Sequence, residues 1–147
     1  MRKLKLSVAI LCLAFTTTNA SSAQVDQAFD EFSGFNCEDV QAHLDNFAVA
    51  LRQNQNSQGY IIVYGGKYSW RGETQAMVNA SRKYLEETRG IAKERFIIID
   101  GGYREQTTMQ LWMIPKGATA PAATPTVKRK DVRFKRGRAR KNICNDE

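Results

Sequence analysis

The residues best suited to chemistry lie in one glycine-bounded stretch, Gly65-Gly66-Lys67-Tyr68-Ser69-Trp70-Arg71-Gly72. Glycines let a ligand come close to the backbone. Lys67 and Arg71 supply positive charge, and Tyr68 and Trp70 supply stacking faces. A helix starting after Gly72 would add an N-terminus that favours an anion. The competing reading is a surface loop whose Trp70 caps the core. The spacing Gly-x-x-x-x-Gly-Lys-[Ser/Thr] is missing, which excludes a nucleotide P-loop.

Two further groups stand out. Asp100-Gly101-Gly102-Tyr103-Arg104-Glu105 gathers Asp100, Arg104 and Glu105 around two glycines. It reads as a polar site at a strand end, or as a tight turn that needs glycine for positive φ. The second group is a run of cations: Lys128, Arg129, Lys130, Arg133, Lys135, Arg136, Arg138, Arg140 and Lys141. Such a run attracts polyanions such as anionic lipid or acidic glycan. Val132 and Phe134 alternate with charge inside it, so it also reads as an edge strand laid on the domain, or as a solvated tail.

His43 is the only histidine, three residues after Val40 and four before Phe47. With no second His or Cys near it in sequence, metal-ligand spacing is missing, and a half-exposed structural role is expected. No nucleophile–base pair or paired carboxylates emerge. The expectation is a binding protein and not an enzyme, with no metal and no cofactor. The alternative is a small secreted enzyme working from Asp100, Arg104 and Glu105.

These groups must be positioned by regular elements. Ala28–Phe32 is a weak strand. Val40, Leu44, Phe47, Ala48 and Leu51 recur at spacings of three and four, which predicts a helix over 37–54. Asn36 is its expected N-cap, with Glu38 and Asp39 placed well against the helix dipole. Tyr60-Ile61-Ile62-Val63-Tyr64, bounded by glycines, predicts a central strand buried on both faces. A second helix is expected over 73–89, with Ala76, Met77, Ala80, Tyr84 and Leu85 inward. Arg89-Gly90-Ile91 reads as its glycine cap. A second buried strand is expected over 95–100, a turn at Gly101-Gly102-Tyr103, and a last strand over 107–114. The order strand–helix–strand–helix–strand–strand predicts an α/β (α+β) two-layer sandwich, both helices on one face of a mixed sheet.

The ends are organised differently. Arg2, Lys3 and Lys5 precede an apolar run, Leu6–Phe15, too short for a stable membrane anchor. Residues 1–23 therefore read as a secretory signal peptide, cut before Gln24. Residues 24–115 form the domain, and 116–127 an Ala/Thr/Pro linker of extended, unpacked chain. Residues 128–147 form the basic tail. The 147-residue chain carries a formal charge of +7, unevenly spread. Residues 24–127 hold ten basic and twelve acidic side chains, whereas 128–147 hold nine basic and three acidic. Removing the signal leaves Cys37 and Cys144, and an even count in an oxidising compartment suggests a disulfide. Two free or intermolecularly paired thiols are the alternative.

The element order, with particular residues, resembles the OmpA-like C-terminal domain family over about residues 27–115. The carriers are Phe29-Asp30, Leu44-Asp45-Asn46-Phe47-Ala48, Gly59–Gly66, Arg82-Lys83-Tyr84-Leu85, Arg89-Gly90-Ile91 and Arg95-Phe96-Ile97. The resemblance implies a bacterial periplasmic setting and peptidoglycan binding. In that family an Asp in a Gly-His-Thr-Asp stretch, and an Arg before the Tyr-Leu pair, grip the diaminopimelate side chain. Here those places hold Tyr68 and Met77. The resemblance thus implies fold and compartment, with a different ligand site. The resulting expectation is a periplasmic or secreted binding module, with no membrane span once the signal is removed. Its ligand would be an envelope polymer or a partner protein, with peptidoglycan anchoring as the alternative. Nucleic acid is not expected outside the cell. Lys67, Tyr68, Trp70, Arg71, Asp100 and Arg104 are the candidate ligand residues, with the basic run as a polyanion site.

Overall fold

The computed structural model describes residues 27–34 and 36–139. The expected signal peptide, Arg140, Lys141 and Cys144 lie outside the described residues.

Six main elements follow in chain order: β1 (Asp30–Ser33), α1 (Cys37–Gln53), β2 (Ser57–Gly66), α2 (Glu73–Lys83), β3 (Phe96–Arg104) and β4 (Thr108–Pro115). They form an α+β fold whose four-stranded mixed sheet has the order β1-β4-β2-β3. β4 is antiparallel to both β1 and β2, and β2 runs parallel to β3.

Helix α1 forms where the apolar spacing places it. Val40, Leu44, Phe47, Ala48 and Leu51 are its buried residues. Asn36 caps it, its side chain accepting a hydrogen bond from the Asp39 N–H at 3.1 Å. This stripe meets Ile61 and Val63 of β2, Met109 and Leu111 of β4, and Met77 and Val78 of α2 in one cluster. Each fully buried side chain of this size stabilises the fold by about 1.5–3 kcal/mol. Both helices thus cover the same sheet face. No helix among the described residues is long and apolar enough to cross a membrane.

The second helix differs from the expected 73–89. Its α-helical part ends at Lys83, and Tyr84–Thr88 continue as one π-helical turn. Of the expected inner stripe, Ala76, Met77 and Leu85 are buried, whereas Ala80 and Tyr84 are half-buried. The wider turn puts the Tyr84 hydroxyl and the Arg89 guanidinium on one carboxylate, Asp45. The glycine cap is present: Gly90 has φ +61°, and Ile91 behind it is buried.

Strand β3 departs most from expectation. It lies at the sheet edge, so Ile97 is 41% exposed where a buried strand was expected. It also continues through Gly101 and Gly102 to Arg104 instead of turning. The register shifts between Val63 and Gly65 of the paired strand, and Gly102 has φ +86°. The glycines thus serve a bulge. A Cβ on Gly101 would meet Ile62 Cγ2 and Tyr64 Cε1 at 2.6 Å. Glycine there makes room for the Tyr64 ring.

Residues 116–118 turn, with Gly117 at φ +88°, and the chain on to Val127 is mostly exposed but, against the unpacked linker expected, touches the sheet at Thr124 and Val127. Ile62 and Tyr64 point away from the helices, since side chains alternate along a strand. Segment 116–127 meets this second face. The Tyr64 hydroxyl, fully buried, donates to Gln110 Oε1 and accepts from the Thr124 N–H, both at 3.0 Å. Val127 is buried, and its N–H donates to the Tyr103 carbonyl. The physical reason is general. Helices on one side leave apolar residues on the other that still gain by leaving water, and short side chains let extended chain lie flat.

Candidate functional site

The loop between β2 and α2 alternates its side chains. Ser69 is buried, its hydroxyl donating to the Gly66 carbonyl at 2.6 Å. With Ser69 inside, Tyr68 and Trp70 point out, 59% and 39% exposed. Trp70 lies outside the core cluster, so it is not the core cap that one reading expected. Gly72, with φ +80°, opens α2. The Glu73 carboxylate accepts from the Trp70 N–H at 2.9 Å, so the helix start already holds an anion of its own. Lys67 Nζ pairs with Glu105 at 3.2 Å.

The basic tail is docked on this loop. The N–H groups of Arg133, Lys135 and Ala139 donate to the carbonyls of Lys67, Ser69 and Arg71 at 2.8, 2.9 and 3.3 Å. The strands of this short ribbon run parallel, with a bridge between Arg71 and Arg138. Val132 is buried. Phe134 sits edge-on to Tyr103, ring centres 6.1 Å apart, with the Arg71 guanidinium 4.9 Å from its centre. Lys135 Nζ lies 4.1 Å from the Trp70 ring centre. The described part of the tail is therefore an ordered edge segment, one of the readings its alternation allowed.

Charge is what this surface has in excess. Lys128, Arg129, Lys130, Lys135, Arg136 and Arg138 are exposed. Among the described residues, none of the tail's cations is ion-paired to a carboxylate. A cleft of about 350 Å³ opens beside them, lined by Lys67, Glu105, Thr126, Val127, Lys128, Lys130 and Asp131. Fixed like charges that lack partners raise the local potential and draw in counter-ions.

No family model, curated protein or solved structure matches the chain. The site is therefore read from its own geometry.

That geometry does not unite the second sequence cluster. Asp100 Oδ1 accepts from the Gly102 N–H at 3.0 Å and steadies the bulge. Arg104 turns to the other sheet face, its guanidinium 3.9 Å from the Tyr64 ring centre. There it donates to Glu31 Oε1 at 3.0 Å and Thr124 Oγ1 at 2.8 Å. Glu105 goes to Lys67. Asp100 and Arg104, expected as ligand residues, thus hold the fold and do not converge with the loop. The bulge between them breaks simple strand alternation, which sequence spacing alone does not reveal.

Two polar clusters escaped the sequence reading. Arg89 grips both oxygens of Asp45, and the Tyr84 hydroxyl donates to Asp45 Oδ1 at 2.7 Å. Burial, then the bond to the Asp45 carboxylate, raises the Tyr84 pKa above its ordinary value. The hydrogen bond to Asp45 likewise raises that of Arg89. His43 Nδ1 lies 2.6 Å from Asp30 Oδ2, and its ring stacks on Phe32 at 3.9 Å. This latch of β1 to α1 fits the structural role expected of His43. Cys37 is disulfide-bonded, and its partner lies outside the described residues. Among the described residues no group of three His, Cys, Asp or Glu side chains is placed to hold a metal.

A second hollow, about 490 Å³, is lined by residues 27–31, Gln110 and Trp112. Its Glu31, Gln110 and Asp30 side chains are engaged, whereas the buried Trp112 Nε1 has no hydrogen-bond partner among the described residues. Gln110 Nε2 donates to Glu31 Oε2 at 2.5 Å, and Asp30 holds His43. The loop–tail ribbon is the better candidate, because the tail's cations have no carboxylate partner among the described residues.

Proposed function

We propose that this chain is an exported, non-enzymatic binding module that attaches to an acidic polymer of the cell envelope through the loop–tail ribbon. The observation that carries the reading is the docking of the basic tail on residues 67–71 by three backbone hydrogen bonds. A cation on a fixed backbone gives up less freedom on binding than one on a loose tail. The ribbon therefore joins the charge of the tail and the aromatic rings of the loop in one surface. The signal-like first 23 residues and the resemblance noted above support a periplasmic or secreted location.

Peptidoglycan anchoring is the second reading. It is supported by the element order, which is the one the resemblance implies. Against it, one of the two family ligand positions is closed to a ligand, since Met77 is 3% exposed within the core. A partner protein is the remaining class of ligand.

Co-sedimentation of the purified protein with sacculi, across a salt series, tests both readings. Retention that persists at moderate salt supports a dedicated peptidoglycan site. Retention that salt abolishes, and that Lys135→Glu with Arg138→Glu abolishes too, supports the electrostatic ribbon. Unchanged retention by the charge-reversed protein contradicts it.

A further inference from the structure

The ribbon carries more than charge. Tyr68 and Trp70 stand outward on the loop, and Lys135 of the docked tail stands over the Trp70 ring. Lys67 and Arg71 neighbour the two rings in sequence, Lys67 paired with Glu105 and Arg71 set over Phe134. Tyr68 makes no hydrogen bond or ring contact among the described residues, although it is 59% exposed. The aliphatic residues Val127 and Val132 are turned inward. That leaves rings with polar edges, beside cations, and no aliphatic wedge to enter a bilayer. Sugar rings present C–H faces bordered by hydroxyl groups. An aromatic ring takes such a face, its polar edge meets a hydroxyl, and a neighbouring cation meets an acidic substituent.

We infer that the ribbon binds an acidic glycan, with Tyr68 and Trp70 stacking on sugar rings while Arg71 and Lys135, which have no carboxylate partner among the described residues, neutralise the acidic groups. This rests on the electrostatic reading above and narrows its ligand. Charge alone does not distinguish one polyanion from another, whereas the rings do.

The test compares two soluble carboxylate polymers on the full chain at matched carboxylate concentration. Polygalacturonate carries its carboxylates on sugar rings, and polyacrylate carries them on an alkyl chain. Polygalacturonate should bind on the order of threefold to tenfold more tightly, and remain bound at higher salt. Tyr68→Ala should bring it down to the polyacrylate level and leave polyacrylate binding unchanged. Tyr68 is largely exposed and makes no hydrogen bond or ring contact among the described residues, so the variant should fold. Trp70→Ala should act in the same direction, with an intact fold checked by circular dichroism. Equal binding of the two polymers, or no effect of Tyr68→Ala, overturns the glycan inference and leaves the electrostatic site standing. Binding of neither polymer overturns both.

Discussion

Lys135 of the basic tail stands over the Trp70 ring of the β2–α2 loop, its Nζ 4.1 Å from the ring centre. The two residues are far apart in sequence and meet because the tail hydrogen-bonds to the loop backbone. The contact joins what the sequence alone offers as two separate sites.

Docking of the tail depends on its one aromatic residue. Phe134 packs edge-on to Tyr103 and beneath Arg71. Phe134→Ala should release the strand-like segment while leaving the helix-covered core intact. Limited trypsin digestion checks this. Cleavage after Lys135 and Arg136 should become markedly faster, and amide exchange at Arg133 and Lys135 should rise. Unchanged cleavage would mean that the backbone hydrogen bonds hold the segment without the ring.

The face opposite the helices is closed through Tyr64. Its buried hydroxyl serves both Gln110 and Thr124. Tyr64→Phe leaves those groups without their partner and should cost roughly 1–3 kcal/mol in a denaturant titration. Gly101→Ala should cost a similar amount, roughly 1–3 kcal/mol, by overpacking against the same ring. A neutral result for both would show that residues 116–127 contribute little to stability.

The Tyr84 hydroxyl predicts a specific alkaline signature. Its folded pKa is raised, first by burial and then by the Asp45 carboxylate. The folded state thus holds this proton when the unfolded chain has begun to lose it. The stabilisation is fully present below the unfolded tyrosine value, about 10. It is lost as pH rises through the higher folded value. Tyr84→Phe should therefore be less stable near neutrality, yet lose less stability between pH 9 and about 11. Denaturant titrations of both proteins across that range read this difference directly. Parallel curves would contradict it.

Much of the fold is legible in the sequence because its signals are local. The stripe from Val40 to Leu51 repeats at helical spacing, and the run from Tyr60 to Tyr64 is β-branched and aromatic between glycines. Asn36 sits where a cap must be. What was not legible depends on contacts across the chain. Ile97-Ile98-Ile99 reads as a buried strand, and only the order of strands shows that it is an edge. Ala/Thr/Pro chain has the same composition whether it lies on a sheet or in water. The bulge that sends Arg104 to the opposite face arises from pairing with β2. Asp45 and Arg89 meet only after the π-helical turn forms. The candidate loop was legible, and its partner, the tail, was legible only as an alternative.

The disulfide offers an independent check on where the chain goes after Ala139. Cys37 is disulfide-bonded. If the expected signal is cleaved and takes Cys12 with it, Cys144 is the expected partner. Mass spectrometry of a non-reduced digest should find the peptides of Cys37 and Cys144 linked. A Cys37 peptide linked to a second molecule, or left as a free thiol, would contradict that pairing.

In this reading the docked tail and the loop act together as one polyanion site. The most direct measurement is the affinity of the full chain for polygalacturonate across a salt series, for the natural protein and for Phe134→Ala. Binding should weaken as salt rises, and Phe134→Ala should lower affinity at every salt although no charge has been removed. Equal affinity of the two proteins at every salt, with trypsin showing the tail released in Phe134→Ala, would mean that the tail binds as a loose cationic chain, and the docked ribbon would not be the site.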